Sequence, residues 1–106
     1  MKELEMIKAF AELEGFKFSS NKPSYKKDLG LWCSIYSDNC YGWYNPLLPN
    51  ALNCAARDKY QVKVCYRYRE CLIWVESTWV KASFKDQSID KAVIECILKS
   101  EGKWID

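Results

Sequence analysis

The polar and apolar positions of this chain change their period several times, and each change marks an element. Over residues 2–14, Leu4, Ile7, Phe10, Ala11 and Glu14 fall at three- and four-residue steps, and Met6 and Leu13 widen the apolar stripe. That spacing predicts an amphipathic helix, which Gly15 is placed to cap in the left-handed conformation. "FKFSS" (16–20) reads as the start of a short strand, and "LWCSIYS" (31–37) as a second. All three prolines (Pro23, Pro46, Pro49) and two glycines (Gly30, Gly42) fall within 19–49, so "SDNCYGWYNPLLPN" (37–50) reads as a turn-rich, aromatic loop.

Helical spacing returns after the loop. Pro49 in a first turn, or Asn50 as cap, opens a helix to about Tyr60 with Leu52, Ala55, Ala56 and Tyr60 as its buried face. From 61 the period becomes two. Val62, Val64, Tyr66 and Tyr68 are expected on the core face of a strand, with Lys63, Cys65, Arg67 and Arg69 on the other. Segments 71–77 and 78–85 complete an antiparallel meander. Asp86 or Ser88 caps a last helix over 88–101, with Ile89, Ala92, Val93, Cys96, Ile97 and Ser100 on one face and Ile94 and Leu98 broadening it. The expected architecture is a single α+β domain spanning 1–106: a three- to five-stranded antiparallel sheet packed with N-terminal, middle and C-terminal helices.

Composition agrees with a globular chain, at 106 residues, 49% hydrophobic and 28% charged. A net charge of +2, from 16 basic and 14 acidic residues, is too small to attract nucleic acid through an overall field. No apolar run approaches the roughly 18 residues of a membrane span. The N-terminal segment carries Glu3, Glu5, Glu12 and Glu14, unlike an export signal, so a bacterial host cytoplasm is the expected compartment. Six cysteines (Cys33, Cys40, Cys54, Cys65, Cys71 and Cys96) contain no C-x-x-C pair, and the chain has no histidine. They read as reduced structural thiols, with Cys54 and Cys96 inside helical apolar patterns. No metal or cofactor is expected.

The chemistry inventory argues against an enzyme. Without histidine there is no ordinary Ser–His or Cys–His pair, and the four glycines are too scattered for a phosphate loop. Nucleic-acid binding needs rings and cations on one exposed face. A strand over 61–68 would segregate them, leaving only a small mixed patch of Trp79, Lys81 and Arg67. A protein partner fits the inventory better, because Arg, Tyr and Trp concentrate at interface centres and seven Tyr and five Trp exceed what one small core buries. The candidate anchors are Tyr36, Tyr41, Trp43, Tyr44 and Leu47 in the aromatic loop, where Tyr41, Trp43 and Tyr44 could instead fold back as a lid. Lys63, Arg67, Arg69 and Lys81 form the candidate charged rim. A ribonucleoprotein partner using that rim, and a homo-oligomer whose interface absorbs the aromatic surplus, are the alternatives.

"LEMIKAFAELEGFKF" (4–18), "YNPLLPNALNCAARDKYQVKV" (44–64) and "DKAVIECILKSEG" (90–102) resemble the small phage and prophage proteins of the phage α/β/α sandwich domain family. Asn45, Pro46, Leu47, Ala51, Leu52, Lys59, Tyr60, Val62, Lys91, Ala92 and Val93 stand at the motif positions, and Cys96 replaces an alanine. The resemblance implies a phage origin and a fold, with no catalytic residue to carry over. By analogy of origin, it suggests a protein acting on host machinery, such as a defence inhibitor of the anti-CRISPR type.

Overall fold

A computed structural model describes residues 1–15, 17–19, 31–37, 40–49 and 51–106, with the backbone alone for 17–19, 31–37, 40–44 and 51–52. The chain divides into two compact units, Lys2–Asn45 and Pro46–Asp106. Helices and antiparallel three-stranded sheets give the expected α+β class.

In the first unit, α1 (Glu3–Leu13) buries Met6, Ile7, Phe10 and Ala11. Leu4, expected on that stripe, is half exposed. Glu3 and Glu5 in the first turn complement the helix dipole. Gly15 ends the helix as expected, with φ 74° and its N–H donating to the Glu12 carbonyl at 3.1 Å. β1 (Lys17–Ser19), β2 (Leu31–Ser37) and β3 (Cys40–Tyr44) form a sheet in that order, and α1 packs on β2. The strand expected over 31–37 has those bounds. The loop expected over 37–50 does not hold for residues 40–44, which pair with β2: Leu31 lies opposite Tyr44, and Trp32 opposite Trp43. Three aromatics in five residues favour extended backbone more strongly than Gly42 disfavours it.

The second unit begins with α2 (Ala51–Lys59). The candidate cap Asn50 lies outside the described residues. Gln61 ends the helix at φ 57°, where its N–H reaches the Asp58 carbonyl and the Val62 N–H reaches that of Arg57 at 2.9 Å. This double bond pattern normally employs glycine. The buried face also differs from the expected one. Asn53 and Ala56 are buried, whereas Ala55 and Cys54 are exposed and Tyr60 is half-buried. The hydrogen bonds of Asn53 draw it inward, and the helical repeat then turns Ala55 out.

β4 (Lys63–Cys65), β5 (Glu70–Val75) and β6 (Thr78–Ser83) form the expected meander, with β5 central. The first strand is much shorter than expected. Tyr66–Arg69 form a turn, Cys65 lies opposite Glu70, and Tyr66 and Tyr68 are exposed rather than core-facing. The turn closes with Arg69 at φ 52°, whose carbonyl accepts from the Phe84 N–H at 2.8 Å. The β5–β6 hairpin turns on two residues, Glu76 at φ 45° and Ser77 at φ 67°, between Val75 and its partner Thr78. Two consecutive positive φ values are the pattern that Asn-Gly satisfies with least strain. Glu76→Asn/Ser77→Gly should therefore raise stability by about 1 kcal/mol in urea unfolding. A loss instead would show that these side chains make contacts the turn depends on.

α3 (Ile89–Ser100) starts where expected. Ser88 caps it, with Oγ accepting from the Lys91 N–H at 3.1 Å, and Gly102 at φ 71° ends it. Ala92, Val93, Ile94, Cys96, Ile97 and Leu98 are all buried, and the helix packs on β5, β6 and α2. The Cys96 S–H donates to the carbonyls of Cys71 (3.5 Å) and Val80 (3.4 Å). Burial pushes the Cys71 thiol up to about 11 and the Cys96 thiol to about 12, so both stay protonated at neutral pH. No helix among the described residues is long and apolar enough to cross a membrane.

Candidate recognition surface

Strand alternation in the meander gives its two faces opposite fates. The inner face presents Cys71, Ile73 and Ala82 to α3, all buried. The outer face carries the cross-strand row Lys63–Leu72–Lys81 and, further along, the directly opposed pair Trp74–Trp79. Trp74 remains 56% exposed and Trp79 39%, although their rings meet edge to face at 4.8 Å. Lys63 Nζ stands 5.2 Å from the centre of the Trp79 ring. Cation and ring attract there through the ring quadrupole. Two apolar anchors beside a row that carries two lysines thus lie on a face that α3 does not cover.

The β4–β5 turn adds a second exposed group. Tyr66 is 69% exposed and packs edge to face on Phe84, with 6.1 Å between centroids. Arg67 lies over the Tyr68 ring at 5.4 Å. Arg67, Tyr68, Arg69, Glu70, Lys85 and Asp86 line an open cleft of about 450 Å³. None of Lys63, Arg67, Arg69, Lys81 and Lys85 forms an ion pair among the described residues.

The sequence-derived candidates therefore separate into three groups. Lys63 and Lys81 share the outer sheet face, with Lys63 rather than Arg67 over Trp79. Arg67 and Arg69 leave that face for the turn, where they join the tyrosines from which a strand would have separated them. Among the loop anchors, Tyr36 falls in β2 and Tyr41, Trp43 and Tyr44 in β3; their side chains, and the proposed lid, lie outside the described residues. Leu47 is only 6% exposed and serves the interior, so it is no surface anchor. Trp74 was overlooked as a surface residue, although its alternation with Leu72 and Glu76 was a usable signal.

Asn53 was also missed, and its role is architectural. Its side chain is fully buried, and Nδ2 donates to the carbonyls of Pro46 (2.6 Å) and Asp90 (3.1 Å). Its Oδ1 accepts from Arg57 Nε at 3.2 Å, and Arg57 Nη2 pairs with Asp90 Oδ1 at 2.9 Å. The network ties the segment before α2 to the first turn of α3.

Four cysteines are described as free thiols: Cys54, Cys65, Cys71 and Cys96. Among the described residues no cluster of three or more His, Cys, Asp or Glu side chains is arranged to hold a metal. Comparison with family models, curated proteins and solved structures finds no match.

Proposed function

We propose that this chain is a non-enzymatic binding protein, of the small phage type its motifs resemble, that acts by occluding an acidic surface of a host or phage protein. A component of a host defence complex suits that mode of action. The supporting observation is the outer face of the β4–β6 sheet, where Trp74 and Trp79 stand exposed beside the row that holds Lys63 and Lys81. Tryptophan anchors supply interface energy when buried by a partner, and nearby lysines orient an approaching acidic surface. Affinity would reside in the tryptophans, while the lysines would govern the association rate and its salt dependence.

Quantitative pull-down from nuclease-treated host lysate tests the reading. Trp74→Ala/Trp79→Ala should lower recovery of the specific partner about 30-fold, as loss of a hot spot worth about 2 kcal/mol implies. Trp43→Ala/Tyr44→Ala, in β3, should leave recovery nearly unchanged. Full recovery by the first variant and loss by the second would return recognition to the 36–48 segment.

A further inference from the structure

The cleft beside the β4–β5 turn is separate in chemistry from the tryptophan face. It gathers three cations, two carboxylates and one ring in about 450 Å³. Arg67 and Arg69 occupy the turn, and Lys85 reaches the cleft from the segment after β6. Their positive charge has no ion-pair partner among the described residues. A guanidinium is a planar fork suited to phosphate oxygens, and an ammonium adds a point charge.

The ring supplies the second half of the recognition chemistry. Tyr68 is 57% exposed and lies beneath the Arg67 guanidinium, so ring and cation already form the first layers of a stack. An unpaired base extends such a stack, whereas a base inside a duplex has both faces occupied. Glu70 and Asp86 oppose a dense double row of phosphates, and they accept hydrogen bonds from amino or hydroxyl groups. Arg69 also holds φ 52°, a conformation that glycine or asparagine adopts at lower cost. A bulky cation stands where the backbone alone would favour a small residue.

We infer that this cleft binds one nucleotide of a single-stranded nucleic acid, with the phosphate on Arg67, Arg69 and Lys85 and the base stacked on the Arg67–Tyr68 pair. Recognition is tolerant of sequence, because every base has a face to stack. The site is independent of the tryptophan face, and the two respond to different substitutions.

Fluorescence anisotropy with labelled oligothymidylate tests the assignment. Three phosphate-contacting cations give a log–log salt slope of about −2 for a single strand. Arg67→Ala/Arg69→Ala should weaken binding at least about tenfold and reduce the slope to about −0.7, the value for one remaining cation. Tyr68→Ala should weaken binding about tenfold with the slope retained, since stacking contributes no counterion release. Lys85→Ala, outside the turn, repeats the charge test without touching the turn backbone. Trp74→Ala/Trp79→Ala should bind the oligonucleotide as tightly as the parent, which separates this site from the protein-binding surface. Competition by thymidine monophosphate but not by inorganic phosphate supports a phosphate-plus-base site, and equal competition by both overturns the stacking half. Absence of any anisotropy change at low salt overturns the assignment. So does binding of a duplex or of polyglutamate as tightly as the single strand.

Discussion

Asn53→Ala is expected to remove about 3 kcal/mol of stability, from the loss of hydrogen bonds to two carbonyls and one guanidinium N–H. The Pro46 and Asp90 carbonyls lose the donor that reaches both, while Arg57 keeps its link to Asp90 and loses its Asn53 acceptor. Asn53→Asp should be worse. It restores the acceptor for Arg57 but places a carboxylate at a position with no solvent exposure and removes both donors. Urea unfolding followed by circular dichroism measures both variants. A loss below about 1 kcal/mol for Asn53→Ala would mean that water or a small rearrangement replaces the amide.

Ile97→Ala should cost about as much by a different route. Ile97 is fully buried in the helix that packs on the meander, and truncation leaves a cavity in a close-packed layer. Such replacements cost about 2–5 kcal/mol. At about 3 kcal/mol, a domain of this length would melt about 15 °C lower. Trp74→Ala, across the same sheet, provides the contrast. It removes a larger side chain from an exposed position and should cost only about 1 kcal/mol, chiefly its edge contact with Trp79. If calorimetry found Trp74→Ala as damaging as Ile97→Ala, the outer face would be core rather than a surface open to partners.

Helices α1 and α3 were legible in the sequence because each has a repeating apolar face and a chemical boundary, Gly15 after α1 and Ser88 before α3. Strands 31–37 and 71–83 were legible because aromatic and β-branched residues cluster between polar breaks. The failures have local causes. The alternation of "VKVCYRYR" continues through the point where the chain turns, and Arg69 takes a left-handed conformation that no glycine or asparagine announces. The expected segregation of rings and cations onto two faces fails for the same reason, because Arg67, Tyr68 and Arg69 share the turn. Residues 40–44 failed in the opposite direction, because Gly42 and nearby prolines suggested a loop where aromatic content favoured pairing. Asn53 had no local signature. A polar residue within a helical repeat looks solvent-facing until its partner, 37 positions away, is in place.

That separation has a consequence during synthesis. The meander joins only consecutive strands, and α3 follows it directly, so the layer over 63–100 assembles from near neighbours in the chain. α2 emerges earlier, yet its Asn53 cannot complete its bonds until Asp90 has been made. At about 5–20 residues per second, the interval is about 2–7 s. For that time α2 is a nine-residue helix with an unanchored polar face, too short to hold its shape in water. The element first in order along the second unit therefore waits on the last one, and the ribosome's pace sets how long a nascent chain stays incomplete.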